Sequence, residues 1–170
     1  MKTTGVNRDT FESVVKEYAK AVFNIAFRIV NDYEDAMDIA QTTFLKVYEN
    51  IDSYDPSHAI FSWLYKIAVN ESINLIKRKK RTVLLDSDLG LQIEGPESEY
   101  AQNEASRQLQ KALMTLNVEY RTVLILRHFQ DLSYREIGDI LGIPERTVKS
   151  RIFTGRRLLR DSLLEQGYTP

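Results

Sequence analysis

Apolar residues recur every three or four positions from about residue 9 to residue 31: Phe11, Val14, Val15, Tyr18, Val22, Ile25, Ala26 and Ile29. That spacing predicts an amphipathic helix. Asn31-Asp32 breaks the pattern. A second helix is predicted from about Tyr33 to Ile51, with Ala36, Ile39, Ala40, Phe44 and Val47 on one side. Asp52 through Ser57 is a loop by composition, and a third helix is predicted from about Ala59 to Lys80. Three such stripes can bury a small common core. Over residues 82–103 the period is lost. Leu84, Leu85, Leu89 and Leu91 are scattered among Asp86, Asp88, Gly90, Gly95, Pro96 and Glu97, as in an acidic, flexible linker. Helical spacing returns with Leu109, Ala112, Leu113 and Leu116, pauses at Leu116-Asn117, and resumes with Val118, Val123, Leu124 and Leu126. Two more helices are predicted over 133–141 and 144–164. The expected architecture is all-α: two small helical domains, 8–81 and 104–166, joined by the acidic linker 82–103.

Composition narrows the chemistry. The chain has 170 residues and no cysteine, which excludes disulfides, thiolate metal sites and cysteine nucleophiles. His58 and His128 have no metal-ligand company, so no zinc site or other cofactor is expected. No apolar run approaches the ~20 residues of a membrane span, and the N-terminus carries no apolar signal region. The chain therefore reads as cytoplasmic, without membrane insertion. The net charge of −1 conceals segregation. Residues 66–81 hold six basic side chains and one acidic; residues 82–104 hold six acidic and no basic; all six charges in 146–160 are positive. Two basic patches flank an acidic connector.

The sharpest local signal lies in the second patch. Ser133 with Glu136 three residues on forms a capping box, and Ile137, Ile140 and Leu141 give the following short helix a buried side. Gly142 can take the left-handed conformation that ends a helix. Pro144 suits the first turn of the next one, where Glu145 complements the helix dipole. On that last helix Val148, Ile152, Gly155 and Leu159 share one face. Arg146, Lys149, Ser150, Phe153, Thr154 and Arg157 fall opposite, with Thr147 and Arg151 on the same helix. A helix apolar behind and cationic in front suits a DNA major groove: cations neutralise phosphates, while Arg, Ser, Thr and an aromatic can meet base edges or thymine methyls. A basic face alone would fit a solvated helix pair equally well. Its combination with capping box, glycine turn and proline start favours DNA.

In the first patch, Trp63, Lys66, Asn70, Asn74, Lys77 and Arg81 share one helical face, and Phe61, Leu64, Ala68 and Leu75 the other. Two exposed Asn offer paired donors and acceptors for a base edge. A nearby aromatic offers a stacking platform worth ~1–3 kcal/mol per base. Lys77, Arg78 and their neighbours can anchor phosphates. Trp63 and Tyr65 fit a core position as well as an exposed one.

Together these residues resemble the extracytoplasmic-function (ECF) sigma factors, the small two-domain members of the sigma-70 family, over about residues 8–165. Asp35 through Phe44 is similar to sigma region 2.2, Phe61 through Asn70 to regions 2.3–2.4, and Leu116 through Leu124 with Ser133 through Arg157 to region 4. The resemblance implies that residues 8–81 bind core RNA polymerase and melt the −10 promoter element, and that 104–166 recognise the −35 element. It implies that Asp35, Asp38, Gln41 and Thr42 dock on the coiled coil of the polymerase β′ subunit, with β as a further contact. It assigns Asn70 and Asn74 to reading the −10 element and the Tyr54–Phe61 loop to holding a flipped base. Lys149, Arg151 and Phe153 would sit in the −35 element, with Arg146 and Arg157 supporting the backbone. The linker would thread the polymerase RNA channel, and an anti-sigma factor would inhibit. Thr154 departs from the cation that many members carry there, so the resemblance implies a different −35 sequence. Few residues follow region 4, so no regulatory extension is expected. Polymerase would supply the chemistry, making this chain a non-enzyme. The rivals are a stand-alone helix-turn-helix regulator, needing no polymerase, and an α-helical enzyme, for which no nucleophile–base set is visible.

Overall fold

The computed structural model describes residues 8–85 and 103–169, and the described residues form seven α-helices with no strand. α1 (Arg8–Val30) ends where Asn31 takes φ 57°, a left-handed conformation that a short polar side chain tolerates. Asp32 then caps α2 (Tyr33–Glu49) by accepting from the Asp35 N–H at 2.9 Å. α2 stops two residues before the expected Ile51. Asn50 turns its side-chain amide back to the Lys46 carbonyl at 2.8 Å, and Ile51–Ser53 forms a 3₁₀ turn.

α3 (Ile60–Leu85) runs past the end expected near Lys80 and takes in the first residues assigned to the linker. Nothing in Thr82-Val83-Leu84-Leu85 stops a helix, and the Thr82 hydroxyl donates to the Arg78 carbonyl at 3.1 Å. The rest of the linker assignment, 86–102, lies outside the described residues.

α1, α2 and α3 pack against one another and bury Val22, Ile25, Ile29, Val47, Leu64 and Ala68. The second module comprises α4 (Glu104–Thr115), α5 (Val118–His128), α6 (Tyr134–Leu141) and α7 (Glu145–Glu165). Asn103 caps α4 through the Ser106 N–H at 2.7 Å. α7 packs on α4, α5 and α6 over Leu113, Leu124, Ile137, Val148 and Ile152. The modules also touch: α1 meets α5 and α4, and α3 meets α6, so the two cores form one continuous apolar cluster. Tyr65 belongs to it. Burial, then Tyr18 and Glu17, push its phenol up to about 12, and the protonated hydroxyl donates to Gln130 Oε1 at 3.3 Å.

Candidate nucleic-acid interface

The helix-turn-helix is closed by local chemistry. The Glu136 N–H donates to Ser133 Oγ at 3.2 Å, and the Ser133 N–H donates to Glu136 Oε2 at 2.7 Å, completing the capping box. Gly142 has φ 65°, ending α6. The Ile143 N–H then turns back to the Gly138 carbonyl at 3.1 Å. Pro144 caps α7 rather than occupying its first turn. Its carbonyl accepts from Thr147 and Val148 at 2.9 and 3.1 Å.

α7 buries Val148, Ile152, Gly155 and Ser162, with Leu159 half-buried. Its opposite side exposes Arg146, Lys149, Ser150, Phe153 and Arg157, while Thr147 and Thr154 are half-buried between. Phe153 is 74% exposed, which leaves its ring open on the same side as Lys149 and Ser150. Arg151 is set apart. Its Nη2 pairs with Glu119 Oε2 of α5 at 3.1 Å.

A second polar face follows α3. Trp63 stacks on Tyr54, with centroids 5.6 Å apart and planes 10° apart. The Tyr54 hydroxyl donates to the His58 carbonyl, fastening the loop. Within the loop the Ser57 N–H donates to Asp55 Oδ1 at 2.9 Å. That hydrogen bond, followed by those from the Ser57 side chain and His58, holds the Asp55 carboxyl below its ordinary value. Tyr54, Phe61, Trp63 and Lys66 line one cleft of about 810 Å³, whose far wall is Arg135, Glu136 and Asp139 of α6. Phe61 is half-buried and tilted against Tyr65 at 5.7 Å. Asn70 and Asn74 lie one and two turns further along α3, both exposed, followed by exposed Lys77 and Arg78.

α2 presents a third surface. Asp38 and Gln41 are exposed, and Asp35 and Thr42 half-buried. Asp35 is ion-paired with Lys79 of α3. Asp35, Asp38 and Thr42 border a depression of about 130 Å³ with Glu71 and Arg78. Met37, Leu45 and Tyr48 are exposed beside Gln41 at helical spacing.

These surfaces coincide with known sequence families. A family profile described as Sigma-70 region 2 matches residues 14–82, and one described as Sigma-70, region 4 matches residues 106–159. The chain is 36% identical over 169 residues to the ECF RNA polymerase sigma factor SigW of Bacillus subtilis, spanning 92% of this chain and 90% of that one. The chain belongs to the ECF sigma factors of the sigma-70 family. The ECF sigma factor SigE of Mycolicibacterium smegmatis is 33% identical over 91% of this chain and 62% of its own length. The fold is that of the sigma factor RpoE solved in complex with the anti-sigma factor NepR from Bartonella quintana. Its TM-score is 0.79 at 23% identity, over 90% of this chain and 96% of that one.

In this sigma factor the expected site residues divide into three faces. Tyr54, Phe61, Trp63 and Lys66 converge on one cleft, and the two Asn extend the same helix. Lys149, Ser150 and Phe153 share the outer side of α7, whereas Arg151 is turned to Glu119. Asp35 is tied to Lys79, and Arg78 borders the α2 depression as well as belonging to the basic run of α3. Sequence reasoning gave His58 no role, yet it lines the cleft. It also passed over Leu45 and Tyr48. Their signal was available: large apolar residues at helical spacing, off the buried stripe of α2.

Proposed function

We propose that this sigma factor docks on core RNA polymerase through α2, reads duplex −35 DNA with α7, and captures an unstacked −10 base at the α3 cleft to start transcription. The observation that carries this reading is the pair of exposed, cation-bearing polar faces on separate modules, one ending in Asn70 and Asn74, the other centred on Lys149 and Phe153. A flipped base costs a few kcal/mol to extract. One stacking contact of ~1–3 kcal/mol and hydrogen bonds from the two Asn offset most of that. Asp35, Asp38, Gln41 and Thr42, joined by Leu45 and Tyr48, form the surface for the β′ coiled coil, with β as a further contact. Arg146 and Arg157 hold phosphates beside Thr147, Ser150 and Thr154, and Lys66, Lys77 and Arg78 do so at −10.

In domain terms, region 2 spans 8–85, with the α3 extension included, and region 4 spans 104–166. The acidic charge of the connecting segment suits the basic RNA channel of polymerase. The chain needs no catalytic residue of its own and acts in the cytoplasm; no described helix is long and apolar enough to cross a membrane. An anti-sigma factor, the partner named for the solved relative, is its expected inhibitor.

Run-off transcription with core polymerase on a matched promoter tests the proposal. The wild-type chain starts transcripts, and Asn70→Ala with Asn74→Ala loses most of them while retaining polymerase in a pull-down. Unimpaired initiation by the double variant would remove the base-capture role. A free chain that bound its operator tightly and ignored polymerase would instead be a stand-alone regulator.

A further inference from the structure

The second module holds a charged group away from water. Arg121, in the first turn of α5, is only 5% exposed. Burying a cation is costly unless acceptors replace its hydration, and Arg121 is poorly supplied with them. Among the described residues no carboxylate pairs with it. Its Nε is buried without a hydrogen-bond acceptor. Burial pulls its pKa below the ordinary value. The acceptor it does have is a sulfur: Nη1 donates to Met114 Sδ, in the last turn of α4, at 3.2 Å. A thioether accepts only weakly.

A better acceptor can reach this place by one route. A group so enclosed is closed to a partner's side chain unless α5 unpacks. Met114, by contrast, is half-buried, so a small molecule in solution can approach the residue that touches the guanidinium. Met37, 37% exposed on α2, offers a comparison without the buried arginine.

We propose that Met114 is a site of oxidation by hydrogen peroxide, and that its sulfoxide oxygen accepts from the Arg121 guanidinium in place of the sulfur, securing α4 to α5. In this step the sulfur lone pair attacks one peroxide oxygen. An S–O bond forms as the O–O bond breaks. The sulfur gives up two electrons, and the departing hydroxide takes the proton from the transferred oxygen and leaves as water. The new oxygen carries more negative charge than the thioether sulfur, and a hydrogen bond from a charged donor gains most from that. Methionine oxidation ordinarily disrupts the packing around it. Here the sign is reversed, because the polar atom arrives beside a desolvated cation short of acceptors. An oxidant thereby firms the region 4 module instead of loosening it.

Thermal unfolding of the full chain before and after mild peroxide treatment tests this, with peptide mass spectrometry locating the added oxygen. All chains carry Met37→Leu, which removes the other described sulfur from the readout. Met114 in the folded parent should gain one oxygen, and the melting temperature should rise by about 2–4 °C. Met114→Leu should abolish the rise, and Arg121→Met should turn it into a fall. Where Arg121→Met does not fold, Met114→Gln decides: its amide oxygen offers Arg121 an acceptor without oxidation, so this variant should melt above the parent and ignore peroxide. A melting temperature that stays level or falls when Met114 is oxidised overturns the proposal. So does a rise that persists in Met114→Leu, a Met114→Gln variant that melts below the parent, or a Met114 that takes up oxygen only once the chain has unfolded.

Discussion

Gly138 sits inside α6 where a Cβ would lie 2.8 Å from the Ile143 carbonyl oxygen, a backbone atom that cannot swing away. Gly138→Ala should therefore force the turn apart and cost about 1–3 kcal/mol, read as a fall of several degrees in melting temperature. His128 makes a pH-dependent contribution. Burial, then the neighbouring Arg156 and Arg127, hold its pKa below the ordinary 6.5, and its Nε2 accepts from Arg156 Nε at 3.2 Å. The folded chain thus binds this proton less readily than the unfolded chain. Stability is fully present above 6.5 and is lost as pH falls from 6.5 to the lower folded value, below which this group adds no further loss. His128→Gln should flatten that part of a curve of unfolding free energy against pH.

At the scale of an element, α7 combines the face proposed to read −35 DNA with an internal neutralising contact. The half-exposed Arg151–Glu119 pair contributes little to stability, on the order of 0–1 kcal/mol, but under the proposed function it withholds a cation from DNA. Glu119→Gln should leave the melting temperature nearly unchanged and tighten binding to a −35 duplex. The salt dependence should steepen by about one phosphate equivalent, ~0.9 in the log–log slope. A parallel salt titration would show Arg151 to be uninvolved. The helix-turn-helix was legible in the sequence because its punctuation is local: Ser133, Glu136, Gly142 and Pro144 each act on backbone groups within a few residues. The far end of α3 was not, because an acidic, aperiodic composition suggested a linker while four residues without glycine or proline continued the helix. Nor was the partner of Arg151, since α5 and α7 meet only through tertiary packing. For the same reason the choice between core and surface for Tyr65 stayed open until its neighbours across the module boundary were known.

For the whole molecule, near-zero net charge hides a division of labour between acidic and basic segments, and this much could be read from the chain. That the modules share a core could not, because Arg28 and Gln110 are 82 positions apart. A shared core predicts a single calorimetric unfolding transition for the free chain, with van't Hoff and calorimetric enthalpies equal; two resolved transitions would show independent modules. The stacked pair at the α3 cleft carries one last implication. Trp63 is the only tryptophan in the chain, so all indole emission originates at a single location, with the Tyr54 ring stacked beside it. Excitation at the red edge of protein absorbance therefore provides a built-in optical probe. Its intensity and wavelength should change when a nucleobase displaces or joins Tyr54, and should ignore events confined to α7.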